Sequence, residues 1–379
     1  MSKQRMWERK LLDLSLRNTL LSFRLTKSAL QLMCPDLTLI EDSLAKGETY
    51  RILPRPSDWE DSAQKIHHES NIEFAAEELK NRRLRSYLDE RALESSIKTI
   101  HRQAKVSLEE NGANTLYLAL GFLRWYESNT SERERYAPII LVPVELVRRL
   151  HSKEYTLRPR DEESRINVTL LEMLRQDFGI NIEGLDPLPM DSSGVDLKTV
   201  FSIIREAVRE QKRWDIEEMT FLGLFSFSQF IMWNDIHCRS EELAQNKVVN
   251  SLITGKLSWE PKRNLLTAQE LDEKLPPSSM AVPMSADASQ MTAIYAASAG
   301  QSFVLHGPPG TGKSQTITNM IANALYQGKS VLFVAEKMAA LNVVKKRLAS
   351  IGLDHSVWSF TPTRHERRMC LTSWKRRWR

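Results

Sequence analysis

Glycine is scarce, 14 of 379 residues, about half its usual share. That scarcity argues against a turn-rich all-β fold or a glycine-rich one. Cysteine is scarcer still. Cys34, Cys238 and Cys370 stand far apart with no C-x-x-C pair, which excludes a disulfide framework and a structural zinc site and points to a reducing, cytoplasmic compartment. Long apolar runs are missing too. The most apolar stretch, Thr220–Trp233, falls short of the ~18–20 residues a bilayer span requires, so no membrane partner is expected. The first residues, MSKQRMWERK, are charged and lack the apolar core of a signal peptide. Net charge of one sign is absent from most of the chain as well. The last 24 residues carry seven of the 53 Lys/Arg and only one of the 48 Asp/Glu, so the basic pI resides in the tail and the body is neutral.

What is present is an ordinary globular balance, 41% apolar and 27% charged, in a chain long enough for two or three domains. Trp7, Leu11, Leu14 and Leu21, widened by Leu12 and Leu16, predict an opening amphipathic helix. Thr49–Pro54 predicts a strand, 72–109 a charged helix, and 114–128 a more apolar helix. Ala137–Leu146 is short, continuous and β-branched, and predicts a buried strand. Val195–Gln211 and Phe221–Trp233 predict further helices, the second of them buried. A polar stretch with Pro276, Pro277 and Pro283 reads as a linker. Beyond it the order is helix (287–299), strand (302–306), loop, helix (313–326), strand (330–335), helix (339–350), which predicts a parallel sheet with right-handed crossovers. The resulting expectation is an α+β N-terminal domain over 1–262, a linker over 263–286, an α/β P-loop domain over 287–355 and an anomalous basic tail over 356–379.

Between the second predicted helix and the strand before it lies GPPGTGKS, Gly307–Ser314, which fits the phosphate-loop pattern GxxxxGK[ST] in its required strand–loop–helix context. Pro308 and Pro309 carry no N–H. The cradle therefore falls to the backbone N–H groups of Gly310, Thr311, Gly312, Lys313 and Ser314 at a helix N-terminus. Gly310 and Gly312 permit close approach, Lys313 would bridge the β- and γ-phosphates of ATP, and the Ser314 hydroxyl would take one Mg²⁺ site. Thr311 and Gln315 serve equally well as ordinary loop and first-turn residues. Gln290, on the helix before the loop, can pair with N6 and N7 of adenine or stand as a plain surface residue.

From Asp287 to about His355 the chain resembles the start of a superfamily 1 DNA/RNA helicase of the nonsense-decay type, with a RecA-like parallel sheet. The residues that carry the likeness are ASQMTAIYAASAGQSFVLHGPPGTGKSQTITNMIANALYQGKSVLFVAEKMAALNVVKKRL. The resemblance implies that Gln290 reads adenine and that Ala335, Glu336, Lys337, Met338, Ala339 and Ala340 touch the backbone of single-stranded nucleic acid. It also implies single-stranded or duplex nucleic acid as the intact protein's partner. KLLDLSLRNTLLSF, NTLYLALGFLRWYE, APIILVPVEL and FLGLFSFSQFIMW resemble the uncharacterised domain that precedes such helicases in large bacterial proteins. There Arg17-Asn18 matches a signature, for which a hydrogen-bonding role is the default.

Hydrolysis in that family also needs an apolar run ending in Asp-Glu and an arginine finger from a second motor domain. Neither follows Ala335 here, so the expectation is an ATP-binding N-terminal part without motor activity of its own. Two alternatives stand beside it. One is an AAA+-like remodelling ATPase, against which Gln290 and the GKSQTITN continuation weigh. The other is a protein-interaction module with a vestigial loop. His67-His68-Glu69 and Asp161-Glu162-Glu163 read as solvated loops, and no Ser/His/Asp or Cys/His nucleophile arrangement stands out. After His355 the resemblance stops and composition shifts, with three of nine Trp in 24 residues. Read one nucleotide earlier, Trp374 and Trp378 become aliphatic residues four apart and Met369-Cys370 forces a Val. A frameshift near codon 356 is therefore expected, against a genuine nucleic-acid-binding tail.

Overall fold

The apolar run expected as a helix at 114–128 is a strand, and this difference reorganises the N-terminal half. In a computed structural model, the chain is described for all residues except 1–2, 57–68, 112, 149–153, 227, 260–265, 267, 275, 309 and 358–379. Eight strands form among them: β1 (Ala29–Met33), β2 (Tyr50–Leu53), β3 (Arg83–Ser86), β4 (Leu116–Trp125), β5 (Arg135–Arg148), β6 (Tyr155–Pro159), β7 (Arg165–Ile166) and β8 (Asp215–Leu224). They pair in the order β4-β8-β1-β3-β2-β6-β5, and β5 pairs back onto β4, so seven strands close into a barrel, with β7 added beside β5. β2 and β3 run parallel, and every other pair is antiparallel.

The expected α+β domain followed by a parallel RecA-like sheet is thus overturned. The N-terminal part is a mostly antiparallel closed barrel with helices around it, and scarce glycine did not prevent it. Closure removes the unpaired edges that an open sheet would expose. A continuous apolar run cannot by itself be told from a buried helix, and β4 is apolar on both faces because both are covered. Leu116, Leu118, Leu120, Leu123 and Trp125 enter the main core, while Tyr117, Ala119 and Phe122 enter a second cluster with Phe221 and Phe225. The parity changes at Gly121, where the β4–β8 register shifts and φ is +70°. A side chain there would overlap the Phe201 ring. Across this shift β4 advances two residues, Leu120 to Phe122, while β8 advances three, Thr220 to Glu217, and the irregularity turns β4 over so that both sets of apolar residues are buried.

Local signals set the surrounding helices. Asp36, Asn167 and Asp196 each accept a backbone N–H and start the helices Leu37–Ala45, Val168–Phe178 and Leu197–Val208. The expected helix over 72–109 is two, Glu69–Lys80 and Glu90–Asn111, with β3 between them. Of the expected helix at 221–233, the first residues belong to β8, and a helix starts only at Ser228. The opening helix ends at Leu11, and Leu12, Leu20 and Leu21 are buried in the turns beyond it.

The chain divides into two compact units, one of residues 6–108 and 113–235, the other of 1–5, 109–112 and 236–379. The described residues of the second contain helices and no strand. Ala288–Ser298, Lys313–Tyr326 and Met338–Ser350 form where expected, and Ile321, Val344 and Leu348 join the last two. The strands expected at 302–306 and 330–335 do not form. Val304, Leu332 and Val334 are 77%, 80% and 76% exposed, so these residues gain neither ladder nor burial, and an isolated pair of short strands is marginal in water. The expectations for the tail beyond 357 and for His67-His68 lie outside the described residues.

Candidate functional site

The phosphate-loop segment is built from its own geometry upward. Thr311 closes the turn, its hydroxyl donating to the Pro308 carbonyl at 2.8 Å and its N–H to the same oxygen at 3.4 Å. Gly312 takes the left-handed conformation, φ +79°, and caps the helix Lys313–Tyr326. Its carbonyl accepts from the N–H groups of Gln315 and Thr316, both at 2.9 Å. The N–H groups of Gly310, Gly312, Lys313 and Ser314 find no acceptor among the described residues. Several unpaired donors at a helix N-terminus form an anion-binding concavity, favoured further by the helix dipole. Of the five donors expected from the sequence, Thr311 alone is engaged internally. The exposed Lys313 has no ion-pair or hydrogen-bond partner among the described residues, and Ser314 is half-buried. A Cβ on Gly307 would meet the Thr311 hydroxyl at 2.6 Å, so a side chain there would displace it. These residues fit a polyphosphate.

Gln290 is tied to this loop. It is the third residue of the helix Ala288–Ser298 and completes a capping box. Its N–H donates to Asp287 Oδ1 at 2.8 Å, and its Oε1 accepts from the Asp287 N–H at 3.3 Å. Hydrogen bonds from the Ser289 hydroxyl and then the Gln290 N–H hold the Asp287 carboxyl below its ordinary range. The Gln290 Nε2 donates to the Thr311 carbonyl at 3.2 Å, so the amide bridges the helix cap and the loop.

A second tether was missed in the sequence. One face of Lys313–Tyr326 grips the segment leading to Asp287. Gln315 donates to the Ser285 hydroxyl at 2.9 Å. Asn319 brackets Met284, accepting its N–H and donating to its carbonyl, both at 3.0 Å. Asn323 accepts the Ala281 N–H at 3.0 Å, and the Tyr326 hydroxyl donates to the Ser278 carbonyl at 3.0 Å. The signal was legible: polar residues at 315, 319, 323 and 326 share a helical face. Asn319 and Asn323 are fully buried, and buried amides require partners.

The expected nucleic-acid segment, Ala335–Ala340, lies at the start of the helix Met338–Ser350. Lys337 caps that helix without a side-chain bond, and its carbonyl accepts the Ala340 N–H at 3.1 Å. Glu336, Lys337, Ala339 and Ala340 are exposed. No hydrogen bond or ion pair among the described residues joins this segment to the phosphate loop. Cys34 offers no nucleophile, since burial pushes its thiol up to about 12, the reverse of activation. Among the described residues no cluster of three His, Cys, Asp or Glu forms, and no helix is long and apolar enough to cross a membrane.

Two family models match parts of the chain. Residues 285–365 match the family described as AAA domain, and residues 10–174 match the family described as Protein of unknown function (DUF4011). The chain is similar to the Uncharacterized ATP-dependent helicase MG140 of Mycoplasma genitalium, with 25% identity over 277 residues, 68% of this chain and 24% of that relative. The Uncharacterized ATP-dependent helicase MG140 homolog of Mycoplasma pneumoniae gives the same identity and the same shares. The chain spans about a quarter of the length of these curated relatives. No solved structure matches. Together the AAA domain match and the two relatives support a helicase-like family with an ATPase part.

Proposed function

We propose that this chain supplies the ATP-binding part of a superfamily 1 DNA/RNA helicase or translocase. The observation that carries the reading is the set of N–H groups of Gly310, Gly312, Lys313 and Ser314 at one helix N-terminus that, like the Lys313 side chain, find no partner among the described residues. ATP bound there would set its phosphates on these donors, with Lys313 on the β- and γ-oxygens and the Ser314 hydroxyl toward Mg²⁺. An amide carries two donors and two acceptor lone pairs. Gln290 spends one of each on Thr311 and Asp287, which leaves one of each for N7 and N6 of adenine. Ala335–Ala340 would meet single-stranded nucleic acid.

One assay on the purified chain tests this. In displacement of a labelled ATP analogue, ATP competes better than GTP, and failure of ATP to displace the analogue would overturn the site.

A further inference from the structure

The barrel unit carries a basic cleft that none of the preceding account uses. A depression of about 360 Å³, within the range of small-molecule sites, is lined by Arg17 and Arg24 together with the hydroxyl residues Thr19, Thr26 and Ser28. Phe23 and Leu224 supply an apolar side. No acidic residue lines it. Both arginines are exposed, and neither side chain makes an ion pair or hydrogen bond among the described residues. Arg51, Arg85 and Arg124 of this unit pair instead with Glu154, Glu78 and Glu217. In this cleft two guanidinium groups stand together without such a partner among the described residues.

The arginines stand on a rigid base. Asn18, between Arg17 and Thr19, donates to the Asp13 carbonyl at 2.7 Å and accepts the Leu20 N–H at 2.9 Å. The Leu20 carbonyl accepts from the buried Asn167 amide at 2.6 Å, and the Leu21 carbonyl from the Trp125 indole at 2.8 Å. The Phe23 N–H donates to the Tyr136 carbonyl at 2.7 Å. Phe23 itself lies 4.9 Å from the Phe221 ring and 5.2 Å from the Phe122 ring. The loop that presents Arg17 and Arg24 is therefore held from several sides, and presenting two cations on it costs little further ordering.

We infer that this cleft binds the phosphate of a nucleotide unit, with the sugar or base against Phe23 and Leu224. A guanidinium presents a planar fork matched to phosphate oxygens, and the hydroxyls can satisfy the oxygens that remain. The nucleotide unit can be free or part of a strand. This site stands on the barrel alone and does not depend on ATP binding at Gly307–Ser314.

The test uses the full chain carrying Lys313→Ala, so that the phosphate loop cannot mask the result. It compares this parent with a version also carrying Arg17→Ala and Arg24→Ala. Both arginines are exposed, and the two proteins should unfold at the same temperature. Binding of a fluorescein-labelled single-stranded dodecanucleotide and of AMP is measured across a salt series. For a strand, the double substitution weakens binding about tenfold or more, and the slope of log K against log salt falls by about 1.4, the share of two phosphates. For a free nucleotide, AMP binding is lost in the double variant while neither protein holds the strand. Equal binding of both probes by the two proteins, or no binding of either probe by the parent, overturns the inference.

Discussion

At the scale of single residues, the fold buries a carboxyl on hydrogen bonds at Glu41. Glu41, on the helix Leu37–Ala45, is buried, accepting the Val195 N–H at 3.0 Å and the Ser164 hydroxyl at 3.2 Å. Burial raises its carboxyl above the ordinary range, the two hydrogen bonds oppose that rise, and Asp42 and Asp191 add to it. The folded state therefore holds this proton more tightly than the unfolded chain does. The site favours folding most below the ordinary glutamate value of about 4.3, and that contribution is lost as pH climbs through the raised one. Glu41→Gln cannot titrate. Thermal unfolding from pH 4 to 7 should show the variant gaining on the parent as pH rises, and a constant difference would refute the burial argument. Glu41 was not legible as a buried acid, because its partners Ser164 and Val195 are brought to it only by the fold. Asn18 was legible as a hydrogen-bonding residue, whereas Arg17 beside it was not legible as an unpaired cation.

At the scale of elements, helices were easier to read than strands. Lys313–Tyr326 has both its signals in the sequence, Gly312 before it and Gly328 beyond it. β4 hid its nature because the bulge at Gly121 breaks the two-residue alternation that would have marked a strand, and both faces are buried. The pairing of β4 with β8, far along the chain, is a long-range contact that no local pattern announces. The polar face of Lys313–Tyr326 governs the next prediction. Asn319→Ala removes both bonds to the Met284 backbone, at a cost of about 1–3 kcal/mol to the second unit. In hydrogen exchange, protection of the Met284 amide should fall sharply. The Ala281 amide, held by Asn323, should keep most of its own. Unchanged exchange at Met284 would show that the tether contributes nothing.

At the scale of the whole molecule, the two units differ in how well their apolar residues are covered. The barrel buries a large continuous core, whereas among the described residues of the second unit the apolar cluster is small, built on Ile321, Val344 and Leu348, and Val304, Leu332 and Val334 lie in solvent. Exposed apolar segments of high β-propensity invite association and local opening. Limited proteolysis should accordingly cut within 236–357 first and leave a resistant piece close to 6–235, and equal resistance of both parts would contradict this contrast. The loop's turn at Gly312 and the helix Lys313–Tyr326 were legible because their signals are local. The sheet expected around them does not form among the described residues, since a sheet depends on partners that no local pattern supplies.

The central claim is that this loop binds nucleotide through its unpaired donors and Lys313. Isothermal titration of ATP into the intact chain and into its Lys313→Ala variant tests it most directly. The account predicts one ATP per chain, with affinity reduced about tenfold or more by the substitution, as expected for loss of a charged hydrogen-bonding partner. Equal affinity in the two proteins, or no heat of binding in the unsubstituted chain, would contradict it.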